Sequence, residues 1–394
     1  LFHRKQKILN YSLANAYGFA PKAPEALCYS YKGWVNLKEI LLKYIIGIKN
    51  TNSEVAEKAM LKMDSLIKPP KSLGKLEEIA VKISSITGRV ENELNKKCVI
   101  IMCSDNGVVE EGIASAPQEI THSMAVNFTK GITGVAVLAK NCGADIKIYD
   151  VGVNAEIKTP MVINKKIRKS TSNIKLGAAM SYEEAIKAIL IGIEAVGAAA
   201  RDGYQLIGVG EMGIGNTTTT TAILYALTDI SPEKITGKGA GLNEKSYKNK
   251  IDVIHTAVKI NKPNVKDPVD LIAKLGGFDI AAMTGAFIGA AYYRLPVVVD
   301  GYISIASAYL AYLMCDKVKE YMFLSHMSEE PGYKEYMQLL GLEPALNLNM
   351  KLGEGSGCPI MFDIIKAACA VMNNMATFEE ALVGTGEEYL SNLE

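Results

Sequence analysis

Apolar positions set the first expectations. From Asn36 onward, Leu37, Ile40, Leu41, Tyr44 and Ile45 recur at helical spacing. Val55, Ala59, Met63 and Leu66 do the same over residues 53–67. That run meets Pro69-Pro70, which cannot continue a helix because proline has no amide donor and clashes with the preceding turn. A third helix is predicted after Gly74, with Leu76, Ile79, Ala80 and Ile83 facing inward. The pattern then changes. Residues 98–103, 146–151, 205–210 and 295–299 are short, nearly continuous apolar runs. They end at Ser104-Asp105-Asn106-Gly107, Gly152, Glu211 and Asp300-Gly301, and helical patterns follow. Strands buried on both faces read this way, and their alternation with helices predicts an α/β fold with a mostly parallel, doubly wound sheet. Ligands of such sheets sit beyond the carboxyl ends of the strands. Polar residues and glycines fall at those ends here, so one shared pocket is expected there. Near the C-terminus, residues 359–372 form a strong amphipathic candidate and 378–383 a weaker one. Both are expected to pack on the N-terminal helices. The organisation predicted is a small helical domain from 35–97 and 346–394, around an α/β nucleotide-binding domain at 98–345.

Residues 1–34 stand apart. No acidic residue occurs up to Pro24, while Arg4, Lys5, Lys7 and Lys22 are basic. Such a start suits a transit peptide or a misread upstream segment. The stretch is expected to be disordered or artefactual and outside the fold.

Composition narrows the function. With 394 residues, 49% hydrophobic and 22% charged, the chain reads as a soluble globular protein with ample core. A formal net charge of +1 provides no global field for nucleic acid or an acidic membrane. No uncharged apolar run is long enough for a transmembrane helix. The seven cysteines show neither CxxC pairs nor zinc-ligand spacing, so buried reduced thiols in a cytoplasmic protein are expected.

Three stretches carry candidate chemistry. The run from Gly208 to Asn216, followed by Thr217 to Thr221, lies between a strand and a helix. Glycines there allow close backbone approach, and helix-start amides favour an anion, which suits a phosphate cradle. A tight turn with a threonine-rich cap explains the same letters. In Gly353-Glu354-Gly355 a carboxylate flanked by glycines suits a general base if burial raises its pKa. A solvated turn glutamate is the plainer alternative. Residues 104–119 and 129–134 can line a pocket above the first strand, or Asp105 and Asn106 can simply form a turn.

In order, DNGVVEEGIASAPQEIT, GVGEMGIGNTTTTTAI, GGFDIAAMTGAFIGAA, LPVVVDGY, SHMSEEPG and KLGEGSGCPI resemble the nicotinate-nucleotide–dimethylbenzimidazole phosphoribosyltransferase family. KPPKSLGKLEEIA resembles its opening, and the similarity runs from about Asn36 to about Phe378. The resemblance implies a doubly wound parallel sheet, a small domain of N- and C-terminal helices, and a homodimer. It also implies transfer of the phosphoribosyl group of nicotinate mononucleotide to a benzimidazole-type base in cobalamin assembly, with no cofactor and no metal. By the same resemblance Glu354 is the base and Glu211 belongs to the substrate pocket. Gly213, Asn216, Thr217 and Thr218 match the phosphate turn, and Lys250 a phosphate-neutralising lysine. Asp300, Gly301, Ser325 and His326 face the site, as do Gly353 and Gly355 around the base. Met124 stands where familiar relatives carry Gln, and Ala116 where they can have Ser, which implies a greasier base pocket and leaves the preferred base open. A dinucleotide oxidoreductase would want a glycine fingerprint after the first strand, where Ser104-Asp105-Asn106-Gly107 stands instead. A non-catalytic sensor of the same fold is opposed by the presence of Glu354 and Glu211.

Overall fold

The computed structural model describes residues 36–239 and 241–383. The extension expected over 1–34 lies outside the described residues. The strands of the main sheet are β1 (Lys97–Ser104), β2 (Asp145–Gly152), β3 (Val162–Asn164), β4 (Leu206–Met212), β5 (Val297–Val299) and β6 (Met322–Leu324). They pair in the order β3-β2-β1-β4-β5-β6, all parallel. The chain therefore winds outward from β1 in one direction, then returns to start again at β4. The connections leave in opposite directions between these two central strands, which opens a crevice at their carboxyl ends. Every residue of β1 is buried, as its unbroken apolar run requires. A parallel pair, β7 (His326–Ser328) and β8 (Leu346–Met350), lies apart.

Helices cover the sheet. They are α1 (Leu37–Gly47), α2 (Ser53–Ser65), α3 (Lys75–Thr87), α4 (Glu119–Thr129), α5 (Gly134–Cys142), α6 (Tyr182–Arg201) and α7 (Asn216–Thr228). After these come α8 (Glu244–Asn261), α9 (Pro268–Leu275), α10 (Phe278–Tyr292), α11 (Tyr302–Met314), α12 (Tyr333–Leu340) and α13 (Gly357–Asn374). Local chemistry fixes several ends. Ser181 and Glu184 form a reciprocal capping box on α6, and Gly88 closes α3 in the left-handed conformation. Helix α10 is buried on all sides from Phe278 to Ala291, and glycines let it meet α6. A β-carbon on Gly192 would lie 1.8 Å from the carbonyl oxygen of Ala282, and one on Gly285 as close to that of Ile189.

The segments that follow α2 and α3 are hydrogen-bonded to the end of α13 and the stretch after it. Ile67 N donates to Ala376 O at 2.9 Å, and Asn92 and Asn373 exchange side-chain to backbone bonds at 3.2 and 2.9 Å. Helix α13 packs on α3, whereas α1 packs on α6 and α10. Residues 378–383, expected as a weak helix, form hydrogen-bonded turns instead. Thr377 is pinned in an antiparallel bridge to Leu66, Glu380 accepts from Thr377 N at 2.8 Å, and Leu382 has φ +55°. Anchoring to the neighbouring chain overrides a helical pattern that spans barely one turn. Among the described residues, no helix is long and apolar enough to cross a membrane. Cys98, Cys103, Cys358 and Cys369 are buried free thiols, and Cys142 and Cys315 are half-buried ones.

Candidate active site

A cleft of about 390 Å³ opens over the carboxyl end of β4, between the turn into α7, the loop after β1 and the loop before α13. Another hollow, of about 260 Å³, lies between α3 and β6, but only Lys75, Glu78, Lys82 and Glu343 bring charge to it. Chemistry converges on the larger one.

Its cationic end is built by α7 and α8. Gly215 precedes α7 with φ +93° and leaves the first amides of the helix free of side-chain caps. Lys250 reaches over from α8; its Nζ donates to Thr217 Oγ1 at 2.9 Å and to Gly237 O at 3.1 Å. Lys250 is 1% exposed, and burial pulls its pKa down to about 8. A buried ammonium beside helix-start amides is a ready anion site. Thr217 lines this end of the cleft, while Gly213, also in the lining, lies against Ser104 O and the Asp279 carboxylate of the acidic floor. Thr218 is fully buried behind it. The other threonines do not cap the helix: Thr219 and Thr221 bond back to the carbonyls of Asn216 and Thr217 at 2.9 and 2.7 Å.

The floor is carboxylate. Glu211, at the end of β4, accepts from Asn216 Nδ2 and from Glu354 N at 3.3 Å. Asn216 Nδ2 also donates to Asp279 Oδ2 at 3.1 Å. Burial, then the charge of Asp279, raises Glu211 to about 8, and burial raises Asp279 to about 6. Asp279 escaped the reading of the sequence. The available signal was its place as the lone charged residue of α10.

The opposite wall is the turn 353–355, three successive residues in the left-handed region with φ of +82°, +63° and +86°. The middle one is Glu354. Its Oε2 accepts from Val135 N at 3.3 Å, at the start of α5, and burial raises its pKa. Glycines in β4 permit the close approach: a β-carbon on Gly210 would fall 2.4 Å from Glu354 O.

Asp300 was expected to face the site. Its carboxylate is instead buried behind the wall, where Oδ2 accepts from Gly355 N at 3.0 Å and Oδ1 from Gly357 N at 2.7 Å. It caps α13 from another element, because Ser356 makes no side-chain cap there. Burial lifts its pKa to about 7. Ser325 is also enclosed, donating to Asp300 O at 3.1 Å and touching His326 Nδ1 at 3.0 Å. Gly355 packs on Val99 and Gly210. Gly301, His326, Gly353 and Glu354 do line the cleft. Burial lowers His326 to about 4. Asp105 accepts from Asn154 N at 2.8 Å and Asn106 donates to Ile214 O at 3.4 Å, so both tie loops together.

The remaining wall is apolar: Ile113, Ala116, Ile120, Met124 and Leu352. Leu352, which the sequence did not flag, sits on Gly134 across from Met124's helix. The cleft thus offers an anion site, a carboxylate floor, a second carboxylate and an apolar corner.

A family model described as "Phosphoribosyltransferase" matches residues 48–383. The nicotinate-nucleotide–dimethylbenzimidazole phosphoribosyltransferase of Clostridium perfringens is 53% identical over 341 residues, 86% of this chain and 94% of its own. That of Clostridium tetani is 48% identical over 353 residues, 90% and 98% of the two chains. The crystal structure of the Thermus thermophilus enzyme superposes with a TM-score of 0.80 at 36% identity, covering 85% of this chain and 100% of that one. Sequence and fold agree, and the chain belongs to the nicotinate-nucleotide–dimethylbenzimidazole phosphoribosyltransferase family.

Proposed function

We propose that the cleft transfers the phosphoribosyl group of nicotinate mononucleotide to a benzimidazole-type base, giving α-ribazole 5′-phosphate and nicotinate for cobalamin assembly. The observation that carries this reading is the meeting of Glu354 and Glu211, joined by the 3.3 Å bond from Glu354 N, in one cleft with Lys250 and the start of α7. The 5′-phosphate goes to the anion site, where Thr217 and Lys250 meet at the start of α7; Asn216 orients the carboxylate floor. The glycosidic nitrogen of the nucleotide is already cationic, so nicotinate leaves without an acid. As that carbon–nitrogen bond breaks, positive charge grows on the ribose, and Glu211 beneath it stabilises the charge. One ring nitrogen of the base bonds to the anomeric carbon, and the proton of its N–H passes to Glu354. Burial that raises the Glu354 pKa makes it a better proton acceptor than an exposed carboxylate. Ala116, Met124 and Leu352 hold the flat apolar body of the base. A non-catalytic sensor would need neither a raised-pKa carboxylate nor its strained support.

The finer assignments belong to the same proposal. The free thiols suit the cytoplasm. Exposed Leu42 and Ile46, one turn apart on α1, suit a homodimer. The packing of α13 on α2 and α3 suits a helical unit at 35–97 and 346–394 beside the α/β unit. Nicotinate release, followed with a panel of bases, tests the activity. Release that depends on a benzimidazole supports it; nucleotide binding with no release under any base refutes it.

A further inference from the structure

Glu211 and Asp279 form a carboxylate pair on opposite sides of one amide. Asn216 Nδ2 donates to Glu211 Oε2 and, at 3.1 Å, to Asp279 Oδ2. Among the described residues, no lysine or arginine lies within ion-pair distance of either. The other titratable groups facing them are Asp300 after β5, Glu354 from the loop before α13, Asp105 after β1, and the Cys103 thiol of β1, which burial and these acids push up and keep protonated; none is a cation. Two like charges this close, out of water and without a cation, cannot both persist. The start of α10 decides which one does. Asp279 is in its first turn, at the positive end of the helix dipole, and accepts from Ile280 N at 2.9 Å, whereas Glu211 ends a strand and its backbone donor, Glu354 N, stands farther off at 3.3 Å.

We infer that, before a nucleotide binds, the pair holds one negative charge, on Asp279, and that a nucleotide with a cationic glycosidic nitrogen expels the proton from Glu211. Asp279, which does not line the cleft, is then a positioning and specificity residue acting through Asn216: it keeps Glu211 neutral until a cation arrives. This rests on the reading of nicotinate mononucleotide as donor. The step balances as a neutral carboxyl plus a cationic ring giving a carboxylate–cation contact and one proton released to buffer. Its direction follows from linkage. A group that loses its proton on binding makes affinity rise with pH, up to its pKa in the free protein, which for Glu211 is about 8. A nucleotide whose glycosidic nitrogen is uncharged gains nothing from this change, so the pair favours the pyridinium nucleotide over its reduced dihydropyridine form, which keeps the same carboxylate and phosphate but lacks the ring cation.

Calorimetry of the intact chain with nicotinate mononucleotide, in two buffers of different ionisation enthalpy near neutral pH, reads the proton directly. About one proton should be released per nucleotide bound, and less than about half as much by Asp279→Asn, whose affinity should vary less with pH. The reduced nucleotide should bind more weakly and release none. Should Asp279→Asn misfold, an infrared difference spectrum of the wild type serves: a protonated carboxyl band must disappear on binding. Binding without proton release and without loss of that band overturns the inference while leaving the donor reading intact. Equal release by the variant, or by the reduced nucleotide, overturns it as well. Absence of any nucleotide binding overturns the donor reading itself.

Discussion

Glu354 occupies a backbone conformation that side-chain-bearing residues avoid, with φ +63° between two left-handed glycines. A non-glycine residue held there costs on the order of 1–3 kcal/mol and persists only when its surroundings enforce it. The enforcement is visible in Asp300, which grips Gly355 N and Gly357 N. Glu354→Gln keeps the shape and removes the basicity, so kcat should fall roughly 10²–10⁴-fold with little change in nucleotide affinity; turnover near the wild-type rate would remove Glu354 from the base role. Wild-type activity should also drop on the acid side earlier than an ordinary glutamate would require, because burial raises this carboxyl and the base works only when ionised. Lys250 makes a separate case. Its ammonium is buried against Thr217 and Gly237, so Lys250→Ala should weaken nicotinate mononucleotide far more than nicotinate riboside, which has no phosphate to neutralise. Equal losses for both ligands, measured by calorimetry, would place the phosphate elsewhere. Met124 lines the apolar corner and offers contact area without a hydrogen bond. A polar group buried there costs about 1–3 kcal/mol, so the wild type should prefer apolar benzimidazoles to hydroxylated ones and phenols. Met124→Gln should narrow that preference; a changed melting temperature with the ranking of bases intact would mean that Met124 only packs.

At the scale of elements, the site depends on one strand and one turn lying almost in contact. β4 presents Gly208 and Gly210 to the stretch that follows Gly353, and Gly355 answers with its own bare α-carbon. Side chains at these points would push the turn off the sheet and carry Glu354 away from Val135 N and the Glu211 carboxylate. Gly210→Ala places a methyl group 2.4 Å from Glu354 O, where the obstacle is backbone and cannot rotate aside. Overpacking of this kind typically costs about 1–3 kcal/mol in stability. The larger expected effect is on rate, since misplacing a catalytic group by about 1 Å can cost on the order of 10²-fold. Kinetics and thermal melting on the same preparation separate the two: a variant less stable but fully active would show that the turn tolerates the shift.

For the whole molecule, the same buried acids shape stability against pH. Glu211, Asp300 and Asp279 are raised to about 8, 7 and 6 in the folded state. Between their unfolded values and these, the folded chain binds more protons than the unfolded one, so stability falls as pH rises. His326, lowered to about 4, acts in the opposite sense but only below its ordinary value of 6.5. Lys250 opposes only above about 8. The clean window is therefore from about 6.5 to 8, where the melting temperature of the unliganded protein should decline by a few degrees. Glu211→Gln should flatten that slope. A melting temperature constant or rising across the window in the wild type would mean that the cluster is already ionised.

The sequence by itself determined the elements whose physics is local. Strands β1, β2, β4 and β5, the long helices and the carboxyl-end placement of Glu211 and Asp300 follow from apolar runs, from the 3.6-residue period and from where those patterns stop. Ordered motifs, more than any one of them, were enough to indicate the family. Strands β3, β6 and β7, of three residues each, carry no period to read; they exist because a neighbouring strand supplies their hydrogen bonds. The weak helix expected over 378–383 gave way to turns anchored by the bridge between Leu66 and Thr377 for the same reason. Within the site, sequence could propose Glu354 but not its left-handed turn, and could list Asp300 but not turn it away from the cleft to cap α13. Asp279 became visible only when the fold brought the start of α10 to Asn216 at the start of α7, because a carboxylate's charge depends on what surrounds it in space, and only the tertiary structure supplies those surroundings.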